Sequence, residues 1–438
     1  MNNLFKKKSK RIIVNCQLLI VNLLAAVGLN AQTLKVEDCY QMAQKNYPLV
    51  RQYELIEKTQ EFSIKNAQKG YLPQIGINGQ TTYQSDVTQM PITSEMLQML
   101  GAPSNVTIPI LGKAQYRLYG EVTYSLTDLF TTKNQTDVVK ANAEIETQKV
   151  EVDLYKLRER INSLFFGILL IDAQIEQTEL VKKDIQSGID KTEIAIANGV
   201  ALKSAADNLK AELLKTKQRT TELHATRKAY AVMLSLFIGQ TLDEHTILEK
   251  PLPQMSSNTI NRPEMQLFEL QNKAFELQNR TIINKNLPRV SLFVQGGFGK
   301  PALNILSDNF DPYYIAGVRL AWNLTGFYTF KNEKKIIANN QHATDIQKDI
   351  FLFNTNLALS QQNTEIAKME ELVTDDSEII LLRENVKNVT QTQLDNGTAT
   401  TNDYLIAVNA EDQARQNRIL HEIQLLMAQY NAQTTSGN

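Results

Sequence analysis

The sequence predicts a mainly helical chain that also carries transmembrane β-strands, built as two tandem repeats of helix, strand, strand, long helix, helix. Three observations lead there. The eleven prolines are absent between Pro109 and Pro251 and again after Pro312, and stretches of that length without proline suit long helices. Four short runs alternate apolar and polar residues with period two, the pattern of a strand with one apolar face. Finally, Pro48, Glu54, Leu55, Lys58, Glu61 and Pro73 recur as Pro263, Glu269, Leu270, Lys273, Glu276 and Pro288, all displaced by 215, which marks an internal repeat.

The chain of 438 residues has a formal charge of −1. Lys6, Lys7, Lys8, Lys10 and Arg11 place five positive charges and no acid in the first 31 residues, leaving the remainder near −6. That remainder is acidic and has no basic stripe, so nucleic acid is not an expected partner. The basic start is followed by an apolar run from Ile12 to Val27, broken by Asn15, Gln17 and Asn22, and then by the small residue Ala31. This order reads as a secretory signal peptide over residues 1–31. No later segment reads as a transmembrane helix, so the processed chain is either soluble or crosses a membrane by strands. Cys16 lies inside the signal, and Cys39, left alone, reads as an ordinary helix residue.

Repeat 1 spans residues 32–250. It opens with a helix near 36–70, where Lys35 stands in place of a capping Ser or Thr. Strands follow near 74–85 and 115–126. Ile75, Ile77, Thr81 and Tyr83 share one face of the first strand, and Tyr116, Leu118, Val122, Tyr124 and Leu126 share one face of the second. The helical hairpin near 131–237 has its tip at 198–204. Leu154, Leu157, Ile161, Leu164, Ile168, Ile171 and Ile175 form a seam with steps of three and four, as in helices packed side by side. At roughly 1.5 Å per residue the long helix, 131–196, reaches about 100 Å. A helix of that length needs equally long neighbours.

Repeat 2 spans residues 251–438, with strands near 289–299 and 313–324 and a helical hairpin near 328–432 whose tip lies at 396–402. Val290, Leu292, Val294 and Phe298 share one strand face, and Tyr314, Val318, Leu320, Trp322 and Leu324 another. Tyr124, Leu126, Thr127 and Gly199 recur as Trp322, Leu324, Thr325 and Gly397, now displaced by 198. The change of displacement places about 17 extra residues in repeat 1 between Tyr83 and Gln115, in a surface loop. The glycine cluster Gly296, Gly297 and Gly299 reads as a turn at a strand end. Tyr83, Tyr116, Tyr124, Tyr314 and Trp322 suit the interfacial girdle of a membrane barrel. Every backbone group in lipid must be paired, so strands cross only as a closed barrel. Four strands cannot close around an open channel, and several copies related by cyclic symmetry are the simple solution.

The layout resembles the TolC-like outer-membrane factors over nearly the whole chain after Ala31. The stretch from Leu34 to Pro73 (LKVEDCYQMAQKNYP, then KGYLP) is similar to that family's opening helix, with its counterpart from Asn261 to Pro288. Asn198 and Gly199, and Asn396 and Gly397, match the family's glycine turns. Asn followed by Gly suits a helix end that needs a positive φ, and Ser204 and Asn402 can cap the helices that follow. The resemblance implies a homotrimer with a twelve-stranded outer-membrane β-barrel, continuous with a twelve-helix periplasmic α-barrel. It implies a passive exit duct for efflux or type I secretion in outer-membrane lipid. A periplasmic adaptor (membrane fusion) protein would dock at the tips, and an inner-membrane transporter would supply the substrate and the energy. Asp403 matches the first acid of the family's periplasmic aperture ring, whereas the next position is Ile406. Ala205 and Ala399 occupy the places of an acid and a base that tie the two hairpins in some members, so that lock does not carry over. An Asp403 carboxylate facing its copies across the entrance competes with a second reading, a favourable acid in a helix first turn.

No enzyme is expected. His224, His245, His342 and His421 show no ligand spacing, and there is neither a phosphate-cradling loop nor a nucleophile motif. Asp375 and Asp376 read as solvated helix acids. No catalytic, cofactor-binding or metal residue is assigned. The rival architectures are a periplasmic coiled-coil adaptor and a structural filament protein, neither of which needs two repeated pairs of aromatic-edged strands.

Overall fold

A computed structural model describes residues 33–88, 91–101, 103, 110–243, 246–254, 259–305 and 307–438. The expected signal peptide lies outside the described residues. In chain order the elements are helices α1 (Val36–Asn46) and α2 (Arg51–Gln68), strand β1 (Gln74–Tyr83), the short helix α3 (Ser94–Met99) and strand β2 (Ala114–Ser125). Helices α4 (Asp128–Tyr155), α5 (Leu157–Ala197), α6 (Lys203–Ile238) and α7 (Pro263–Lys285) follow. Strands β3 (Arg289–Lys300) and β4 (Asp311–Ala321) and helices α8 (Gly326–Asp395) and α9 (Thr401–Ser436) complete the chain. It is thus mostly helical with one small antiparallel sheet. Among the described residues no helix is long and apolar enough to cross a membrane.

Two compact units share these elements. One gathers Gln52–Lys149 and Glu264–Asp349; the other gathers Val150–Pro263 and Ile350–Asn438 with the described residues up to Arg51.

The first unit is organised by the sheet, in the order β1-β2-β3-β4, with every neighbour antiparallel. Side-chain hydrogen bonds pin the points where helix becomes strand. The Thr127 hydroxyl donates to Pro288 O (3.1 Å) and accepts from Val290 N (3.0 Å), while the Trp322 indole N–H donates to Asn286 O (3.1 Å). β4 ends at Ala321, short of the expected 324, because its last partner is Arg289, the first residue of β3, and the preceding Pro288 has no backbone N–H to extend the ladder. Gly296, Gly297 and Gly299 lie inside β3, not in a turn. None of them has positive φ. The reason for glycine is cross-strand proximity: a Cβ on Gly297 would collide with Leu118 O and the Tyr119 backbone.

The second unit is a helical hairpin, α5 and α6, with α9 packed on α5 and α1 laid against both. The expected seam residues Leu154, Leu157, Ile161, Leu164, Ile168 and Ile171 are buried, and so are Phe165, Phe166 and Leu169 between them. α5 is covered on more than one side, so its apolar surface is wider than a single seam. The Phe166 ring reaches Tyr430 of α9, 5.3 Å between centroids.

The opening helix, expected as one piece over 36–70, is divided by a 3₁₀ turn at Pro48–Val50. Proline forces its predecessor out of the helical region, and Tyr47 accordingly takes ψ 133°. The long helix expected over 131–196 is interrupted once, at Lys156, whose dihedrals remain helical. Around that break, the Arg158 guanidinium sits 4.6 Å from the Tyr155 ring centre and 5.1 Å from that of Tyr40. Arg262 covers the Tyr155 ring from 4.9 Å. Asp376 is buried rather than solvated, because its face of α8 meets α9, where its carboxylate lies 2.6 Å from His421 Nδ1. Cys39 is free and buried.

Candidate functional site

Two places stand out, one in each unit. The first is a face of the sheet. Successive side chains of a strand alternate between faces, and the register brings the apolar sets together. Ile75 lies opposite Val122, which lies opposite Val294, which lies opposite Ala316. The rows on either side hold Tyr124, Leu292 and Val318, and Ile77, Gly120, Gly296 and Tyr314, with Leu118, Phe298 and Pro312 beyond. This face is bare: Ile77 is 83% exposed, Val318 67% and Tyr314 78%. Of the expected girdle aromatics, Tyr83, Tyr116 and Trp322 are also exposed, whereas Tyr124 is half-buried. Tyr116 additionally meets Phe310, 6.0 Å between ring centres.

The opposite face is mainly polar, though Tyr119, Phe293, Tyr313 and Ile315 also belong to it. It carries Gln74, Asn78 and Gln80 of β1, Arg117, Glu121 and Thr123 of β2, Gln295 of β3 and Arg319 of β4. Glu121 and Arg319 pair at 2.8 Å. Among the described residues β1 and β4 each have a single neighbour, so both sheet margins present unpaired backbone groups.

The second place is the pair of hairpin tips. Asn198 ends α5 and Gly199 follows with φ +73°. The N–H of Gly199 bonds Ile196 O (3.0 Å) and that of Val200 bonds Ala195 O (2.9 Å). These are the paired 5→2 and 6→1 bonds of a Schellman end. Asn396 and Gly397 (φ +70°) repeat the pattern, Gly397 N to Leu394 O (3.0 Å) and Thr398 N to Gln393 O (2.8 Å).

The caps that follow differ from expectation. α6 starts at Lys203 with Leu202 as its cap, and α9 starts at Thr401 with Thr400 as its cap. Ser204 and Asn402 are thus already inside the first helical turn, where their backbone is helical and cannot take the extended conformation of a capping residue. Thr400 forms a reciprocal capping box with Asp403. Its hydroxyl accepts from Asp403 N (3.2 Å), and Asp403 Oδ2 accepts from Thr400 N (2.9 Å) and Oγ1 (2.6 Å). The bonds from the Thr400 hydroxyl and backbone hold the exposed Asp403 carboxyl below its ordinary value. Asp403 therefore does act as a first-turn acid. Sequence reading missed Thr400, although Thr followed three residues later by an acid is a recognisable signal.

Between the tips lies a cleft of about 690 Å³, lined among others by Thr192, Ile194, Leu202, Asn208 and Thr400. Behind it, Val181, Ile185, Ile189, Leu209, Tyr404 and Val408 form a buried layer. Ala205 and Ala399 join nothing across it, but two ion pairs connect α5 to α8: Lys191 with Asp395 (3.0 Å) and Asp184 with Lys387 (3.0 Å). Lys387 also holds Glu411 (2.7 Å), and Arg415 joins Glu411 (2.7 Å) to Glu384 (3.1 Å). Burial pushes the Glu411 carboxyl up, but the bonds from Lys387 and Arg415 outweigh it and set the group below its ordinary value. Residues from three helices meet here at sequence distances that no local pattern reveals. Among the described residues no group of His, Cys, Asp and Glu is placed to hold a metal ion.

No protein-family model and no curated protein matches this chain. Solved structures do. The outer membrane protein VceC from Vibrio cholerae superposes with a TM-score of 0.62 at 12% identity, covering 92% of this chain and 96% of its own. The outer membrane channel MtrE of Neisseria gonorrhoeae gives 0.61 at 12% identity, over 92% and 89%. The outer membrane channel CmeC of Campylobacter jejuni gives 0.60 at 10%, over 92% and 85%. The chain has the fold of these outer-membrane channel proteins over nearly its whole described length.

Proposed function

We propose that the chain belongs to the TolC-like outer-membrane factors and is one subunit of a homotrimeric exit duct. The observation that carries this reading is the bare apolar face of the sheet. Burying apolar surface is worth about 25 cal/mol per Å², so a face of isoleucine, leucine, valine and phenylalanine left in water is strongly unfavourable. Lipid satisfies it, provided that the margins of β1 and β4 pair with those of neighbouring copies. Strands of 10, 12, 12 and 11 residues suit tilted transmembrane strands, which need about 9–11 residues. Three copies supply a twelve-stranded barrel, and the paired hairpins of each copy line a periplasmic tunnel.

The duct is passive and has no catalytic residue or cofactor. Energy comes from an inner-membrane transporter, linked through a periplasmic adaptor that docks at the tips around Asn198, Gly199, Ser204, Asn396, Gly397 and Asn402, in an efflux or type I secretion system. Asp403, charged at neutral pH, faces its two copies at the aperture, and Asp403→Ala is expected to weaken block by multivalent cations. The test of the whole reading is the full-length protein in outer-membrane fractions and planar bilayers. A heat-modifiable trimer and discrete conductance steps are expected; a folded monomer that stays in water without detergent would contradict it.

A further inference from the structure

We propose that Arg117 gives the sheet-enclosed part of the duct a preference for anionic solutes. This rests on the reading above, in which the polar face of the sheet lines the channel.

Five charged side chains belong to that face by register: Arg117 and Glu121 on β2, Arg289 on β3, and Asp311 and Arg319 on β4. They are not equivalent. Arg319 is neutralised by Glu121 at 2.8 Å and lies over the Phe293 ring, 4.4 Å from its centre. Gly317 leaves room for that ring, since a Cβ there would come within 3.2 Å of it. The guanidinium of Arg319 is thereby held against the sheet wall. Asp311 accepts a hydrogen bond from the Ser307 hydroxyl (2.7 Å) at the loop end. Arg289 stands at the first position of β3, at the helix end.

Arg117 shares with Arg289 its exposure and the lack of an ion pair among the described residues, but lies well inside its strand rather than at the strand's first position. It lies opposite Gln80 on β1 and Gly299 on β3. One neighbour brings no charge and the other no side chain. Asp311 lies in the same row, beyond Gly299, but three cations, Arg117, Arg289 and Arg319, against two acids, Glu121 and Asp311, leave this face one net positive charge per copy, and copies of Arg117 set a ring of cations within that positive wall.

Fixed charge on a wall raises the local concentration of counter-ions. The reach of that effect is about 8 Å at 0.15 M salt, about 30 Å at 0.01 M and about 3 Å at 1 M. In a wide duct the preference is therefore strong in dilute salt and fades in concentrated salt. Small anions and solutes bearing carboxylate or phosphate groups are the favoured class.

The test is the reversal potential of the full-length protein in planar bilayers under a KCl gradient. Arg117→Gln is expected to lower the anion-to-cation permeability ratio by at least about twofold at about 10 mM salt and to leave it unchanged near about 1 M. Glu121→Gln, which frees Arg319, should move the ratio the other way. Arg117→Lys keeps the charge and should keep the parental ratio, which separates charge from damage to the sheet. An Arg117→Gln channel that conducts with the parental reversal potential in dilute salt overturns the inference and leaves the duct standing. Absence of conductance in the parent protein as well refutes the duct, and this inference with it.

Discussion

Replacing Glu411 by glutamine tests the ionic cluster of the helical unit with little change of shape. Its side chain is 5% exposed and holds Lys387 and Arg415, each at 2.7 Å. Neither cation is stranded by the change, because Lys387 keeps Asp184 (3.0 Å) and Arg415 keeps Glu384 (3.1 Å). The full cost of breaking a buried pair, about 3–5 kcal/mol, therefore does not apply. The one carbonyl oxygen of glutamine still accepts from one cation, but its N–H2 faces the other, so one hydrogen bond of the charged class, about 1.5–3 kcal/mol, is lost, a cost of about 2 kcal/mol.

The pH dependence has a definite sign. The Glu411 carboxyl is held below its ordinary value: burial raises it, and the two cations more than compensate. Its contribution is thus complete above the ordinary glutamate value of about 4.3 and is lost as pH falls through the lower folded value. Lys387, raised against burial by Glu411 and Asp184, loses its contribution only at strongly alkaline pH. Thermal unfolding of the detergent-solubilised full-length protein, followed by helical circular dichroism, is the assay. For a unit of this size, about 2 kcal/mol lowers the midpoint by about 4–8 °C. The gap between parent and Glu411→Gln should hold from neutral pH to about 5 and shrink progressively as pH falls below the ordinary glutamate value of about 4.3. An unchanged midpoint at neutral pH, or a gap as large in acid as at neutrality, refutes the assignment of stability to this charge.

Other substitutions probe the tips and the sheet. Thr400→Ala removes the capping box and should cost about 1 kcal/mol, whereas Leu202→Thr, which gives α6 the cap it lacks, should gain about 0.5–1 kcal/mol; both are read as midpoint shifts. Gly397→Ala has open space for its Cβ, so only the left-handed backbone opposes it, by about 1–2 kcal/mol; Gly397→Asn should cost less. Leu118→Arg on the apolar face should cost about 2–4 kcal/mol if it sits at mid-membrane, and reduced trimer yield in the outer-membrane fraction is the readout. The Cys39 thiol is pushed up to about 12, chiefly by burial and then by Asp38 and Glu37, so alkylation near pH 8 should occur only after denaturation.

What could be read in the amino-acid order was whatever repeats locally. Period-two alternation placed Ile75, Leu118, Val294 and Val318 on one face, and the pairing register joins them into a band. Asn-Gly pairs announced the Schellman ends because positive φ is a single-residue demand that glycine meets. The errors share a cause as well. Gly296, Gly297 and Gly299 look like a turn by composition, but their reason is the approach of Leu118 and Tyr119 from another strand. Asp376 looks solvated by type, and its partner His421 is 45 residues away. The cluster around Glu411 draws Asp184 from α5 and Lys387 from α8, so no window of sequence contains it. Lys156 carries no helix-breaking signal, and the rings and guanidinium groups around it come from distant positions.

The orientation of the sheet faces is the point on which the account turns, and spin labels scanned one residue at a time from Tyr116 to Tyr124 in lipid vesicles measure it directly. Labels at 116, 118, 120, 122 and 124 should collide readily with dissolved oxygen, which concentrates in lipid, while labels at 117, 119, 121 and 123 should respond to a water-soluble nickel chelate. Accessibility to the chelate at every position, or an alternation of the opposite phase, would contradict a lipid-facing band and with it the membrane duct.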